Sequence, residues 1–343
     1  MDSAILDQVP LGPQWPTVDP FLFCAHHNDR YPAGTADLGP VGGTTGRNIG
    51  SDFSGKDGWS MYHGTIVPGF PVHPHRGFET ITFVRKGLID HSDSLGAAAR
   101  FGRGDVQWVT AGSGISHSEM FPLLDQDGPN HAELFQIWLN LPAASKMVEP
   151  HFTMLWSEDI PSLNFTDSAG RVTTVTVIAG TLNGATPPPP PPESWASDPA
   201  NDVAIWHVVM EPSAQWIMPA APVGAVRTLY VFDGTTLGIN GEAVHAGTGA
   251  LVDPTQSLEL TGGEGGVEVL MLQGRPIAEP VARYGPFVMN TRAEIEQAFR
   301  DYERTRFGSW HWDTHDPIHG TQKRRFARHA DGTTETRSVP ATP

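Results

Sequence analysis

The sequence predicts an all-β protein made of two similar antiparallel β-barrels. Glycine and proline account for 37 and 31 of the 343 residues, which favours short strands joined by turns. Six consecutive prolines, Pro187 to Pro192, separate two blocks of apolar, glycine-punctuated segments. The blocks also resemble each other, because TITFVRKG and FGRGDVQWV in the first are matched by RTLYVFDG and AGTGALVDP in the second, at nearly equal separations.

These patterns predict four segments. An N-terminal barrel domain is expected over 1–183, and a proline-rich linker over 184–199, where the proline run is stiff and cannot join a sheet. A second barrel domain with a helix is expected over 200–306. The polar composition of 307–343 predicts a loosely ordered tail.

A single short helix is predicted near the end of the second block. Thr291 precedes RAEIEQAFRDYERTR, and Glu294 stands three residues later, the spacing of a capping box. Apolar residues then recur at helical spacing, at Ile295, Ala298 and Phe299.

Charge and cysteine content indicate which partners and which cellular compartment to expect. The net charge of −16 repels phosphate backbones. The strongest candidate for a basic patch, Lys323-Arg324-Arg325 with Arg328, is short, so nucleic-acid binding is not expected. The only cysteine, Cys24, permits no intrachain disulfide. Neither a signal peptide nor a run long enough to cross a membrane is evident, so the sequence predicts a cytoplasmic protein without membrane contact.

Two histidine-containing tripeptides carry the strongest chemical signal. Residues two apart in a strand project to the same face, so His73-Pro74-His75 offers two imidazoles together, and His117-Ser118-Glu119 offers an imidazole and a carboxylate. With 15 histidines in the chain, one such pair is often incidental. Two pairs in one β-rich block favour a site for iron, nickel, copper, manganese or zinc.

Three long strings resemble the pirin family: HPHRGFETITFVRKGLIDHSDSLG, GDVQWVTAGSGISHSEMFP and GRPIAEPVARYGPFVMNTRAEIEQAF. The resemblance runs from about Asp19 to Arg304. It implies a bicupin, with two jelly-roll barrels and one divalent metal ion in the first. The implied ligands are His73, His75, His117 and Glu119, and iron(II) is the expected ion, with nickel, copper, manganese and zinc as alternatives.

A second carboxylate competes for the metal. The general cupin pattern has a ligand glutamate four residues after His-x-His, where Glu79 stands. Following the pirin family, Glu119 is assigned to the metal, and Glu79 is expected to orient the imidazoles from outside the ligand set. Phe78 and Trp108 are candidates to line the cavity mouth, with a place in the barrel core as the alternative.

The second block is predicted to bind no metal. When the two blocks are aligned on Gly87 and Gly234, Ala220 and Pro222 occupy the positions of His73 and His75. Glu264 alone survives as a possible ligand, and one carboxylate does not hold a metal ion.

The resemblance implies two functions. The first is a quercetin 2,3-dioxygenase-like enzyme that opens a flavonol with O2, in which Glu119 is both ligand and proton acceptor. Its partners would be a small aromatic substrate and O2. The alternative is an iron-dependent regulatory protein without turnover, acting as a redox-sensing coregulator or a modulator of an enzyme, whose protein partner the sequence does not identify.

Overall fold

The computed structural model describes residues 3–340 and confirms the all-β prediction, with one α-helix in that range. Positions 1–2 of the predicted N-terminal domain and 341–343 of the predicted tail lie outside it. The strands are β1 Ile5–Pro10, β2 Phe21–Tyr31, β3 Gly69–His75, β4 Phe78–Lys86, β5 Leu88–Asp93, β6 Ala98–Gly102, β7 Val106–Thr110, β8 Ile115–Met120, β9 Asn130–Asn140, β10 His151–Leu155, β11 Ser162–Thr166, β12 Val172–Ala179, β13 Ala204–Met210, β14 Gln215–Met218, β15 Val226–Gly234, β16 Thr236–Ile239, β17 Glu242–His245, β18 Thr248–Val252, β19 Leu258–Gly262, β20 Val267–Gly274, β21 Ala282–Tyr284, β22 Phe287–Met289, β23 Arg325–Arg328 and β24 Thr334–Arg337; the helix α1 is Arg292–Thr305.

The chain folds into two compact units whose limits differ from the predicted boundaries. The histidine unit comprises His26–Gln136, Leu141–Ser157 and the chain from Glu279 onward. The proline unit comprises the chain up to Ala25, Ile137–Asn140 and Glu158–Ala278. Strand pairing explains the difference, since β1 pairs with β18 and β12 pairs with β13, so segments before position 184 complete the sheet of the proline unit.

The proline unit consists of two antiparallel sheets, ordered β1-β18-β15-β20-β13-β12-β11 and β14-β19-β16-β17. Its hydrophobic core is built from apolar side chains that alternate along these strands, such as Val208, Leu229 and Val269. The proline run lies between β12 and β13 and forms no strand, as predicted.

The histidine unit also has two main sheets, ordered β10-β7-β4-β9-β2 and β24-β23-β6-β5-β8-β3, with β2 and β9 divided between the units at Ala25 and Gln136. The predicted duplication is visible in the pairing, because β4 pairs antiparallel with β7 as β15 does with β18. The described strands form cupin-like antiparallel sheets in both units, which confirms the predicted bicupin, although the sheets do not close into continuous barrels.

The helix is confirmed, but its location differs from the prediction. Thr291 and Glu294 form the complete capping box, and Ile295 and Ala298 are buried. These residues pack with Phe287 of β22, and the helix therefore belongs to the histidine unit instead of the second barrel.

The segment predicted to be a loosely ordered tail contains two strands. Strands β23 and β24 form a hairpin, and β23 adds to the edge of β6. Arg325 and Ala327 are fully buried, and Arg325 bonds to Asp105 at 2.5 Å, so this arginine is not part of an exposed basic patch. No helix in the described range is both long and apolar enough to span a bilayer.

Candidate metal centre

Two neighbouring strands of the histidine unit carry the histidines. Strand β3 lies at the sheet edge and pairs antiparallel with β8, with His73 directly opposite His117. His75 lies two residues beyond His73 and projects to the same face. The candidate ligand atoms of His73, His75 and His117 all lie within 4.8 Å of one another, so the structure brings together the three predicted imidazoles.

Hydrogen bonds orient the imidazole rings. His73 Nδ1 donates to the Pro71 carbonyl at 2.9 Å, which leaves a lone pair on its Nε2. His75 Nδ1 lies 3.4 Å from the Pro286 carbonyl, and that contact favours the same tautomer. His73 Nε2 and His117 Nε2 face each other at 3.0 Å. Histidines that bind a metal through one ring nitrogen typically form a hydrogen bond through the other. The donor set of the triad therefore fits a metal ion.

Burial keeps these imidazoles neutral. Desolvation lowers the pKa of His73 to about 4, with smaller contributions from His63 and His91 that oppose the Pro71 hydrogen bond. Desolvation also holds the pKa of His75 and His117 well below the usual value. Neutral imidazole is the form that binds a metal, so the site is ready for a cation at neutral pH.

Glu119 is close to the triad but not grouped with it. It lies on β8 two residues after His117, opposite Phe70 of β3 and His91 of β5. The Thr82 hydroxyl donates to Glu119 Oε1 at 2.9 Å. Burial raises the pKa of this carboxyl, against the opposing effects of His91 and Thr82. Its assignment as the fourth ligand remains a prediction.

The other predicted site residues, Glu79, Phe78 and Trp108, are all fully buried. Glu79 is fully buried on β4 and accepts a 2.7 Å hydrogen bond from the Thr110 hydroxyl. The Phe78 ring packs 5.1 Å from the His75 ring. Trp108 is fully buried on β7. Because Phe78 and Trp108 both have no exposed surface, neither forms an open rim.

His91 also lies in this neighbourhood, although no sequence motif pointed to it. Its ring is fully buried and lies 5.5 Å from the His117 ring, and its Nε2 is 3.0 Å from Asp93 Oδ2. His91 belongs to no spaced motif. Only the pairing of β5 with β8 reveals that it lies beside Glu119.

A group of side-chain rings extends from His73 to the surface, and we call Phe53, His63 and Phe70 the ring cluster. Phe70 lies 6.3 Å from the His73 ring and 5.8 Å from the His63 ring. Phe53 is 56% exposed and lies 5.1 Å from His63. Phe53 stands in a loop without periodicity, so no sequence pattern could have predicted this arrangement.

Comparisons with known proteins agree with the fold. The pirin family model matches residues 5–139, and the model of the pirin C-terminal cupin domain matches 205–308. A Pseudomonas aeruginosa protein provisionally named quercetin 2,3-dioxygenase is 40% identical over 239 residues, which cover 69% of this chain and 79% of that protein. A pirin-like protein of Solanum lycopersicum is 34% identical over 245 residues, covering 68% and 75%.

A solved structure extends the similarity to the whole fold. The crystal structure of a quercetin 2,3-dioxygenase from Acinetobacter baumannii has a TM-score of 0.68 at 26% identity, covering 89% of this chain and 98% of that one. The histidine triad lies in the part matched by the first family model. On the family models, the relatives and the shared fold, the chain belongs to the pirin family.

Proposed function

We propose that this protein is a metal-dependent dioxygenase that cleaves a flavonol-like aromatic substrate with O2. The observation that carries the proposal is the triad of neutral imidazoles, in which His75 and His117 are buried and His73 is partly buried. Relatives named for quercetin 2,3-dioxygenase activity support the choice of reaction. The alternative regulatory hypothesis has no comparable support in the described residues.

The metal would be held by His73, His75, His117 and Glu119, and iron(II) is the ion that we propose. Three neutral nitrogen donors and one carboxylate suit a divalent transition metal. They leave a net positive charge of about one on the site. When bound, the ion would act as a Lewis acid that makes a substrate hydroxyl more acidic.

Glu119 is positioned to accept the substrate proton. Its burial raises the pKa of the carboxyl, so it holds a proton more readily than an exposed glutamate does. The Thr82 hydroxyl bonds to Oε1 and restricts its orientation. We therefore propose that Glu119 takes the proton of a flavonol hydroxyl as the substrate becomes anionic.

The ring cluster supports a flat substrate. Phe70 stacks 5.0 Å from Tyr62 and lies beside His73, while Phe53 extends this surface to solvent. Stacked and edge-on rings prefer aromatic partners at such distances. A neutral flavonol could bind against Phe70 and Phe53 without a penalty from the acidic surface of the protein.

Oxygen uptake tests the proposal directly. Iron-loaded protein should consume O2 with quercetin, and the His73→Ala variant should not, because it removes a proposed ligand. The matched control is His245→Ala, since His245 is exposed on β17 of the proline unit and should be dispensable.

The proposal fails if wild-type protein loaded in turn with iron, nickel, copper and manganese leaves quercetin unchanged. It also fails if His73→Ala turns over quercetin as fast as His245→Ala. In the first case the regulatory hypothesis would be favoured, with the buried triad serving a metal that alters a binding surface.

A further inference from the structure

The histidine unit contains a cavity that is separate from the triad. Its volume is about 280 Å³, near the lower end of ligand-sized pockets. It is lined by residues around the β4–β5 turn, the segment after β8, the start of β9 and the C-terminal segment. Neither the triad, nor Glu119, nor the ring cluster contributes to its lining.

The rim of this cavity is basic, although the chain has a net charge of −16. Arg85, Lys86, Arg103 and Lys323 all line it. Lys86 and Lys323 side chains are each 46% exposed, so both ammonium groups can meet a ligand.

Two carboxylates offset this charge only in part. Glu133 pairs with Arg85 and, at 2.8 Å, with Lys86, and Asp125 pairs with Lys323 at 2.9 Å. Four cations against these two carboxylates leave a local charge of about plus two.

Arg103 is the cation with the least compensation. Its Nη1 donates to the Pro340 carbonyl, and no carboxylate bonds to it within residues 3–340. This arginine therefore adds uncompensated positive charge to the lining of the cavity.

The floor of the cavity is apolar. Tyr31, Phe121, Leu123 and Ala132 line it and are almost fully buried. The Tyr31 hydroxyl donates to the Ser60 carbonyl at 2.8 Å, so it is already occupied. An apolar floor below a basic rim is complementary to a ligand that has an apolar body and one anionic group.

We propose that this cavity is a binding site for a small organic anion of the aryl carboxylate class, distinct from the metal centre. The anion would bond to Arg103 and Lys323, and its ring would lie against Phe121 and Leu123. Lys323 comes from the segment beyond residue 308, which lies outside both family-model matches, so this part of the site need not be shared by relatives.

Calorimetric titration of the metal-loaded, full-length protein with benzoate tests the site. Benzoate should bind more tightly than benzamide, its neutral analogue, and its affinity should fall with added salt because the rim is partly exposed. Arg103→Gln and Lys323→Gln should each weaken benzoate binding by about 10-fold, as expected for loss of one charge-assisted hydrogen bond.

Two control variants distinguish binding in this cavity from binding at the metal centre and from a general effect of lost charge. Arg292→Gln removes an arginine whose side chain is 93% exposed on α1, and it should bind benzoate like the wild type. His73→Ala should also retain benzoate binding, because the metal centre is not involved. Circular dichroism would establish that each variant is folded. If Arg103→Gln does not fold, Lys323→Gln alone tests the proposal.

Four results would overturn the proposal. They are the absence of benzoate binding to wild-type protein, equal binding of benzamide, wild-type affinity in folded Arg103→Gln and Lys323→Gln, and loss of binding in His73→Ala. The last result would assign the carboxylate to the metal centre.

Discussion

At the scale of single residues, two buried glutamates near the triad have different surroundings. Glu119 shares β8 with His117 and bonds to Thr82, whereas Glu79 lies on β4 and bonds to Thr110. Only Glu119 follows a triad histidine by two residues on the same strand. That alternation points its carboxylate to the face of the sheet that carries His117.

Exchange of each glutamate for glutamine should separate their roles. Glu119→Gln removes a proposed charged ligand and should abolish turnover or strip the metal. Glu79→Gln should reduce metal affinity or activity less, by about 10–100-fold, as expected for a residue that orients the ligands without binding the metal. Elemental analysis and oxygen uptake on both variants provide the comparison. Metal loss in Glu79→Gln with full occupancy in Glu119→Gln would reverse the ligand assignment.

The buried imidazoles also predict a pH dependence of stability. His73 has a folded-state pKa of about 4, below the ordinary value near 6.5, and the pKa values of His75 and His117 shift in the same direction. At pH values between the folded-state and the unfolded-state pKa of these histidines, the unfolded chain binds more protons than the folded chain. Metal-free protein should therefore lose stability as the pH falls from 7 to 5, by up to about 1.4 kcal/mol per pH unit for each histidine.

Urea unfolding of chelator-treated protein at several pH values measures this effect. His73→Phe removes one of the three groups and should show a smaller slope than the wild type. Equal slopes in the wild type and in His73→Phe would contradict the prediction, since Asp29, whose pKa burial raises to about 6, contributes to the total slope in the opposite direction.

At the scale of secondary-structure elements, the β23–β24 hairpin contributes to the histidine unit through a buried ion pair. Arg325 and Asp105 are both fully buried, and Asp105 also accepts a hydrogen bond from the Ser157 backbone. A buried carboxylate that loses its cation is costly, because it has already lost its hydration.

Arg325→Met should therefore destabilise the protein by about 3–5 kcal/mol. Arg324→Met is the matched control, since Arg324 is the exposed neighbour on the same segment. Denaturant unfolding of the two variants measures the difference. Equal free energies of unfolding would show that the hairpin is not anchored by Arg325.

Local patterns predicted the helix and the triad well, for related reasons. The capping box of Thr291 and Glu294 is a contact within one turn, and His73 and His75 share a face in any regular strand. Where α1 packs was not predictable, because its contact with Phe287 depends on how the chain returns to the histidine unit. The burial of Arg325 was not predictable either, because a charged segment is normally exposed.

At the scale of the whole molecule, the two units share a strand arrangement but differ in chemistry. The β4–β7 pair carries the buried carboxylate of Glu79, whereas the matching β15–β18 pair contributes Leu229, Val231 and Ala250 to a hydrophobic core. Ala220 and Pro222, which the sequence alignment places opposite His73 and His75, follow β14 there. Within residues 3–340, one group of metal-ligating side chains is found, and it is His73, His75 and His117.

One metal ion per chain should therefore be bound, and the histidine unit should hold it. The proline unit offers His207, but its Nε2 is engaged with Glu268 at 2.8 Å, and a single imidazole with one carboxylate lacks the donors of a stable transition-metal site. Elemental analysis of tag-free protein should give one ion per chain in the wild type and in His207→Ala, and close to none in a His73→Ala, His117→Ala double variant. Two ions per chain, or metal that persists in the double variant, would show that the duplicated fold has kept a second site.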